Sequence, residues 1–233
     1  MSSISNMSQA VSAGFRTATR TQQSLTASVE RRALLLLAQR TPNYISSDHL
    51  TALGFAAQFL AGASYALARW SKYSLLLATF FIAANWLGDS LDGTLARYRG
   101  RLRPRYGFYV DHMVDTFGAG FLMFGLAASN YLHWQVAVAM LVAFLVLSIE
   151  AYLATYTLHD FHLSHGPFGP TEIRILLAIG NLTLLFHPHA LLFGHEFLLF
   201  DVGGIIATAG MLGMAIFATI RHTFTLYKEE RLP

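Results

Sequence analysis

The sequence contains no cysteine and few charged residues. The absence of cysteine from all 233 residues excludes a disulfide scaffold. Charged residues make up only 12% of the chain, whereas an ordinary soluble domain has roughly a quarter. Hydrophobic residues make up 54%, and a soluble core of this size cannot bury so much apolar surface. The composition therefore excludes a nucleic-acid-binding module and disorder over most of the chain, and it predicts an integral membrane protein.

Long apolar runs predict six membrane-spanning helices. The runs are too long for the strands of a membrane barrel and do not alternate in polarity, and helices satisfy their own backbone polar groups in lipid. Hydropathy places the spans at 49–69, 73–97, 107–129, 133–157, 171–188 and 198–221. The predicted fold class is an all-α integral membrane protein with six transmembrane helices.

An interfacial amphipathic helix is predicted before the first span. Within residues 24–40, apolar side chains recur at helical spacing while Arg31, Arg32 and Arg40 supply positive charge. Residues 1–23 are rich in Ser, Thr and Gln and contain no acid, which predicts a disordered cytoplasmic tail, with an organelle transit peptide as the alternative. The predicted organisation is a tail at 1–23, a membrane-embedded domain at 24–225 and a cytoplasmic C-terminal tail at 226–233.

The basic residues predict the orientation of the chain in the membrane. If the N-terminus is cytoplasmic, the cytoplasmic segments hold 14 of the 16 Lys and Arg residues, and only Arg69 and Lys72 fall outside them. The excess of positive charge on cytoplasmic loops therefore places both termini in the cytoplasm. The formal net charge is only +3, and the basic residues mark one face of the membrane. They therefore give no reason to expect nucleic-acid binding.

Four aspartates lie at one end of two spans. Asp89 and Asp92 end the second span, and Asp111 and Asp115 begin the third. An ionisable group within a span costs at least about 2.5–3.5 kcal/mol, so it needs a partner or a purpose. The spacings place each pair on one helix face, and two antiparallel helices facing each other would gather all four carboxylates around one or two ions. Such oxygen ligands suit Mg²⁺, Mn²⁺ or Ca²⁺. The alternative is that each aspartate pairs with an arginine of the loop 97–105 as interfacial charge.

Small residues and one arginine accompany these carboxylates. Gly93 and Ala96 follow on the second span, and Gly107 lies four residues before Asp111. Small residues let a ligand approach the backbone, or let helices pack closely in lipid. Arg97 beside a metal cluster suits a phosphate ligand, which a guanidinium binds through two parallel hydrogen bonds.

Together these residues resemble the signature of the CDP-alcohol phosphotransferase family. The first half reads Asp89-x-x-Asp92-Gly93-x-x-Ala96-Arg97, and the second half reads Gly107-x-x-x-Asp111-x-x-x-Asp115. The segment that joins the two halves is longer than is usual in the family. The specific match covers the second and third spans, and the plan of six spans extends the resemblance over most of the chain.

The resemblance implies a divalent-metal enzyme of phospholipid synthesis whose site opens at the cytoplasmic interface. It implies that Asp89, Asp92, Asp111 and Asp115 hold Mg²⁺ or Mn²⁺, and that Asp115 is also the catalytic general base. It further implies a homodimer and a nucleotide site. The residues implied to bind the nucleotide are Gly93, Ala96, Arg97 and Gly107.

Additional substrate contacts are predicted outside the signature. The run Asp48-x-x-Thr51 resembles a short nucleotide-binding motif of the family, and the alternative is a helix start with Asp48 as N-cap. Arg103, Arg105 and Arg174 are candidates for binding a phosphorylated acceptor or anionic headgroups. The alternative for the loop arginines is that they only enforce topology.

The predicted reaction transfers a substituted phosphoryl group from a CDP-alcohol, with CDP-diacylglycerol favoured, to an acceptor hydroxyl and releases CMP. One alternative is transfer of phosphocholine or phosphoethanolamine to diacylglycerol. The pair Asp111-His112 faintly resembles the branch of the family that carries out this transfer. A second alternative is a cation transporter with a carboxylate site, although acids near mid-bilayer on several spans would then be expected. A third is a family member without activity that serves as a scaffold.

Two polar groups have no assigned role. Glu150 lies deep in the fourth span, where it either lines the cavity or pairs with a neighbouring span. His159, His162 and His165 lie in a loop, where they are predicted to be interfacial, with a transition-metal site as the alternative.

Overall fold

The computed structural model describes residues 27–158 and 170–230, which form long helices and one short hairpin. The predicted tail at 1–23 and the three loop histidines lie outside the described residues. The elements are α1 (Ala27–Arg40), α2 (Ser47–Leu67), α3 (Ser74–Tyr98), α4 (Pro104–Ala128), α5 (Trp134–Leu158), α6 (Pro170–Leu184), β1 (His189–Leu192), β2 (His195–Leu198) and α7 (Leu199–Glu229).

Each of the six predicted spans falls on one helix. The helices α2, α3, α5 and α7 are long and apolar enough to cross a membrane, as expected of an integral membrane protein. The other two are less apolar or shorter, because α4 contains Asp111 and Asp115 and α6 has only 15 residues. The count of six spans therefore stays a prediction. The last helix runs to Glu229, so the segment predicted as a C-terminal tail begins as helix.

Glycines allow α3 and α4 to approach the backbone of α2 closely. A Cβ atom added to Gly88 of α3 would lie 2.7 Å from the backbone nitrogen of Gly54, and one added to Gly125 of α4 would lie 2.0 Å from the carbonyl oxygen of Gly62. Neither position has room for a side chain. Close approach increases van der Waals contact, which drives helix association in lipid. Both helices thus lie against α2, and they make at most marginal contact with each other.

The helix α1 packs on the end of the bundle where α2 begins. Leu34 and Ala38 are buried against apolar residues of α2 and α3, while the leucines at 35–37 stay exposed. A helix is therefore present in the predicted segment, and its amphipathic character stays a prediction. Its location in the membrane interface stays a prediction.

Glu30 joins α1 to two other helices. Its Oε1 atom accepts hydrogen bonds from Trp86 Nε1 and Ser90 Oγ of α3, each at 3.2 Å. The hydroxyl of Thr171 at the start of α6 donates to the same oxygen at 3.1 Å. One carboxylate therefore ties α1, α3 and α6 together, and its partner Ser90 directly follows Asp89 in the sequence.

Glu150 pairs with a neighbouring helix. Its Oε1 atom lies 2.6 Å from Nδ1 of His222 on α7, and the two side chains are 10% and 26% exposed. This contact favours pairing between helices over a role in lining a cavity.

One element departs from the all-α expectation. The strands β1 and β2 pair in antiparallel register between α6 and α7, a stretch that hydropathy treats only as a connection. They are joined by Phe193 and Gly194, whose φ angles are 52° and 82°. Two consecutive residues with positive φ form the tight turn that best matches the twist of paired strands.

Candidate active site

The eight signature residues lie on α3 and α4, and α2 lies between the two helices. Gln58 of α2 touches both neighbours, because Asn85 of α3 donates to its Oε1 at 3.4 Å and a Cβ on Gly118 of α4 would lie 1.9 Å from its side chain. Asp89 lies one helical turn beyond Asn85, and Asp115 lies about one turn from Gly118, both toward the start of α2. Gln58 therefore bridges α3 and α4, which make at most marginal contact with each other, and we call the space between them on the aspartate side of Gln58 the cleft.

The two aspartates of α3 are held by partners from other helices. Oδ2 of Asp92 accepts a hydrogen bond from Thr51 Oγ1 of α2 at 2.6 Å, and Oδ1 accepts one from the backbone nitrogen of Gly93. Oδ2 of Asp89 lies 2.8 Å from the guanidinium of Arg174 on α6, and both side chains are largely buried. The structure thus brings Thr51 and Arg174, both predicted site residues, to the carboxylates of α3.

The two aspartates of α4 lie near α5. Tyr152 of α5 is within electrostatic range of both Asp111 and Asp115. Its ring centroid lies 4.7 Å from that of His112, which in turn lies 4.2 Å from the ring of Phe108. We call Phe108, His112 and Tyr152 the aromatic wall.

The signature glycines border open space. A Cβ on Gly107 would meet no atom within 4 Å, and one on Gly93 would meet only the guanidinium of Arg97, at 3.5 Å and beyond. Neither glycine is therefore needed for helix packing, which favours room for a ligand as their role. Arg97 is exposed, and its guanidinium donates to Thr94 Oγ1 at 3.2 Å.

A pocket of about 340 Å³ opens beside the start of α2. Asp48, Ala96 and Arg103 all line it, and Arg103 forms an ion pair with Asp48. The N-cap of α2 is Ser46, whose Oγ accepts from the backbone nitrogen of His49 at 3.3 Å, so Asp48 is not the N-cap. The pocket thus joins predicted nucleotide-binding residues to a predicted acceptor-binding arginine.

The arginines near the site differ in their roles. Arg99 donates to the carbonyl oxygens of Thr41 and Pro42 at 2.9 and 3.0 Å, so it fastens the connection between α1 and α2. Of the predicted acceptor-binding residues, Arg174 lies in the site, whereas Arg105 is exposed on the first turn of α4.

The carboxylates fit a hard divalent cation by type but do not form a ready-made site. Within residues 27–158 and 170–230, no three His, Asp or Glu side chains are grouped closely enough to hold a metal ion. Asp89 and Asp92 are instead engaged by Arg174 and Thr51. The four half-buried carboxylates of α3 and α4 still offer the oxygen ligands that Mg²⁺ and Mn²⁺ prefer, so the residue types fit once these partners are exchanged.

Several residues near the site have no distinguishing pattern in the sequence. Tyr152, Gln58 and Asn85 lie within apolar spans, where a single aromatic or amide carries no distinguishing spacing. His112 had a weak signal, because it directly follows Asp111. Glu30 had no signal, because the pattern of residues 24–40 consists of basic and apolar residues.

The chain is similar to known proteins in sequence and in fold. The sequence profile described as CDP-alcohol phosphatidyltransferase matches residues 41–220. The archaetidylinositol phosphate synthase of Pyrococcus horikoshii is 29% identical over 113 residues, which is 48% of this chain and 53% of that protein. The chain therefore matches about half of the length of that relative.

A solved structure shares the fold. The crystal structure of phosphatidylinositol phosphate synthase from Mycobacterium tuberculosis with CDP-DAG bound aligns with a TM-score of 0.58 at 17% identity, and the alignment covers 87% of this chain and 99% of that chain. The family profile covers most of the sequence and includes all eight signature residues on α3 and α4. The chain therefore belongs to the CDP-alcohol phosphatidyltransferase family.

Proposed function

We propose that this protein transfers a substituted phosphoryl group from a CDP-alcohol to an acceptor hydroxyl and releases CMP, as an enzyme of phospholipid synthesis. The observation that carries the proposal is the cleft between α3 and α4, where the complete signature lies and where Gly93 and Gly107 border open space. CDP-diacylglycerol is the favoured donor. Its support is the shared fold with a protein that was solved with CDP-DAG bound.

The nucleotide would lie along α3. Gly93 and Ala96 leave room for cytidine beside the helix, and Arg97 can bind the phosphates through two parallel hydrogen bonds. Asp48 and Thr51 border the same region from α2. The ion pair between Asp48 and Arg103 has to open before Asp48 can contact a ligand.

The four aspartates Asp89, Asp92, Asp111 and Asp115 would hold Mg²⁺ or Mn²⁺. A bound cation supplies the positive charge that neutralises the pyrophosphate and the departing CMP. Until then, the guanidinium of Arg174 compensates the charge of Asp89, and the hydroxyl of Thr51 donates a hydrogen bond to Asp92. This compensation is needed because an uncompensated charge inside a membrane helix is costly.

Asp115 would act as the general base. The acceptor oxygen attacks the phosphorus that carries the diacylglycerol group, the bond from this phosphorus to CMP breaks, and CMP leaves with the electron pair. The hydroxyl proton passes to a carboxylate within hydrogen-bond reach. Among the signature residues of α4, Asp115 lies nearest along the helix to Gly118, the residue that packs against Gln58.

A phosphorylated polyol such as inositol phosphate is the favoured acceptor. Arg174 lies against Asp89, and Arg103 lines the adjoining pocket, so positive charge borders the carboxylates on two sides. The names of the two similar proteins, both inositol phosphate lipid synthases, support this choice.

The proposed topology has six spans, both termini in the cytoplasm and the cleft at the cytoplasmic face. Its support is the position of 14 of 16 basic residues and the placement of the aspartates at one end of the bundle. The lipid substrate would then enter sideways from the bilayer, and the polar one from the cytoplasm. A homodimer is expected from family membership.

Phosphocholine transfer to diacylglycerol is a second candidate, favoured by the aromatic wall. A quaternary ammonium group binds well against aromatic rings. The rings of Phe108, His112 and Tyr152 lie beside Asp111 and could form part of such a site.

The test uses purified protein reconstituted in vesicles. With Mg²⁺ or Mn²⁺ present, CMP release is measured from CDP-diacylglycerol with glycerol 3-phosphate, inositol phosphate or serine in turn, and from CDP-choline with diacylglycerol. Cation flux is measured in the same vesicles. We expect release that requires the metal and is fastest with inositol phosphate. Release only from CDP-choline with diacylglycerol would favour the second candidate, and cation flux without any CMP release would overturn both.

A further inference from the structure

The hairpin of β1 and β2 stands at the end of the bundle opposite the aspartates, which we call the far end. The helices α2, α4 and α6 end there, and α3, α5 and α7 begin there. The base of the hairpin is closed by a hydrogen bond from the backbone nitrogen of Leu199 to the carbonyl oxygen of Pro188 at 2.9 Å. Because β2 runs directly into α7, a candidate membrane span, the hairpin is held at the level where that span leaves the lipid.

The tip of the hairpin exposes an aromatic ring in an unfavourable backbone conformation. Phe193 is 100% exposed, and its φ angle of 52° lies in the left-handed region. A bulky side chain is rarely found there, whereas Asn and Gly adopt this conformation readily. Turn stability alone would therefore select against Phe, and exposure to water would do so as well.

The two faces of the hairpin differ. Cross-strand partners share a face, so Ala190 and Phe197 lie on one side together with the pair of Leu192 and His195. Glu196 lies on the opposite side, paired with Leu191. The hairpin thus has a face without acidic residues that continues from the apolar tip.

Exposed aromatic residues surround the far end. They are Trp70, Tyr73, Trp134 and Phe186, which lie in or beside the connections between the helices. Aromatic side chains concentrate at the boundary between membrane and water, where an apolar ring next to polar headgroups is stable. The tip of the hairpin continues this belt.

We propose that the hairpin is an anchor that inserts Phe193 and the side chain of Phe197 into the headgroup and upper acyl region of the phospholipid bilayer at the far end. The lipid surface provides the apolar medium that the exposed ring lacks in water, which explains why the turn keeps Phe in a left-handed conformation. Glu196 then faces water.

The absence of cysteine permits a direct test by single spin labels. A nitroxide is attached to Phe193→Cys, Phe197→Cys and Glu196→Cys in turn, in full-length protein reconstituted into phosphatidylcholine vesicles that contain some phosphatidylglycerol. Ile206→Cys, on the exposed surface of the apolar helix α7, gives the value for a lipid-facing label. Collision rates are measured with oxygen, which concentrates in lipid, and with a water-soluble nickel chelate.

We expect oxygen collisions to exceed nickel collisions at positions 193 and 197, as at 206, and the reverse at 196. Nickel collisions in excess at 193 and 197 would overturn the proposal. So would spin–spin broadening at 193 that disappears when labelled protein is diluted with unlabelled protein, because the tip would then contact a second copy of the chain.

A second variant tests the tip itself. Phe193→Asn fits the turn conformation, so we expect equal or higher thermal stability in detergent. In vesicles, the same change should lower the ratio of oxygen to nickel collisions for a label at position 197. An unchanged ratio would show that the ring does not hold the hairpin in lipid.

Discussion

At the scale of single residues, Arg174 is the clearest link between the acidic cleft and an acceptor. Its guanidinium lies 2.8 Å from Asp89 although the two residues are 85 positions apart. A guanidinium holds a phosphate through two parallel bonds, whereas a lysine ammonium acts as a point charge. We therefore expect Arg174→Lys to raise the KM for a phosphorylated acceptor about tenfold, equivalent to about 1.4 kcal/mol, with little change in the KM for CDP-diacylglycerol.

Steady-state kinetics with each substrate varied in turn distinguish this role from a general loss of structure. Arg221→Lys is the matched control, because this arginine is exposed near the end of α7. An equal rise in both KM values for the Arg174 variant would argue against acceptor binding.

The pair of Glu150 and His222 makes a prediction about stability. The second carboxylate oxygen, Oε2 of Glu150, is buried and has no hydrogen-bond partner among the described residues. His222→Ala would leave the whole carboxylate unsatisfied, so we expect the free energy of unfolding in detergent to fall by about 1–3 kcal/mol. Replacing both residues with Leu should be less harmful, because no buried polar group remains. An unfolding midpoint of His222→Ala equal to that of the parent would refute the importance of the pair.

Local spacing predicts which aspartates share a helix face, but it does not predict their partners. The contacts of Thr51 with Asp92 and of Arg174 with Asp89 join residues 41 and 85 positions apart. Such contacts depend on how the helices pack, and no pattern within one helix specifies them. The position of Tyr152 beside His112 could not be predicted for the same reason.

At the scale of elements, close packing of α4 on α2 depends on Gly125. A methyl group there would lie 2.0 Å from the carbonyl oxygen of Gly62, so the helices would have to separate. We expect Gly125→Ala to lower the free energy of unfolding by about 1–3 kcal/mol. The control is Gly210→Ala on α7, where the added atom meets open space and the higher helix propensity of Ala favours equal or greater stability. Thermal unfolding in detergent measures both variants, and equal midpoints would contradict this packing.

Glu30 links the position of α1 to the site. Its partners Ser90 and Thr171 lie next to Asp89 and three residues before Arg174, respectively. We expect Glu30→Ala to lower kcat and to speed trypsin cleavage at Arg31, because α1 loses its attachment. Glu30→Gln should restore both in part, since its amide oxygen still accepts hydrogen bonds. An unchanged cleavage rate in Glu30→Ala would show that α1 is held by other contacts.

Hydropathy located the helices because each contains a long apolar run. It ended the last span at 221, whereas α7 continues to Glu229, since a helix does not stop where its residues become polar. It also missed the hairpin, because two four-residue strands are too short to show a pattern and depend on pairing with each other.

At the scale of the whole molecule, the signature and the charge distribution predict the family and the location of the site. They do not predict that α2 lies between the two halves of the signature. That arrangement depends on Gly54, Gly62, Gly88 and Gly125, whose contacts become apparent only when the helices are assembled. The result is a cleft with a polar floor at Gln58, open toward the end of the bundle that carries most of the basic residues.

The most direct measurement of the proposed function compares CMP release by the parent protein and by Asp115→Asn in the same vesicles, with CDP-diacylglycerol, inositol phosphate and Mg²⁺. The exposed Glu196→Gln, a carboxylate-to-amide change at the opposite end of the bundle, is the matched control. Removal of a general base typically lowers the rate by about 10²–10⁴-fold. We expect a loss of this size for Asp115→Asn and none for Glu196→Gln. Near-normal CMP release by correctly folded Asp115→Asn would contradict the assignment of Asp115 as the base, and no CMP release by the parent with any acceptor would contradict the proposed reaction.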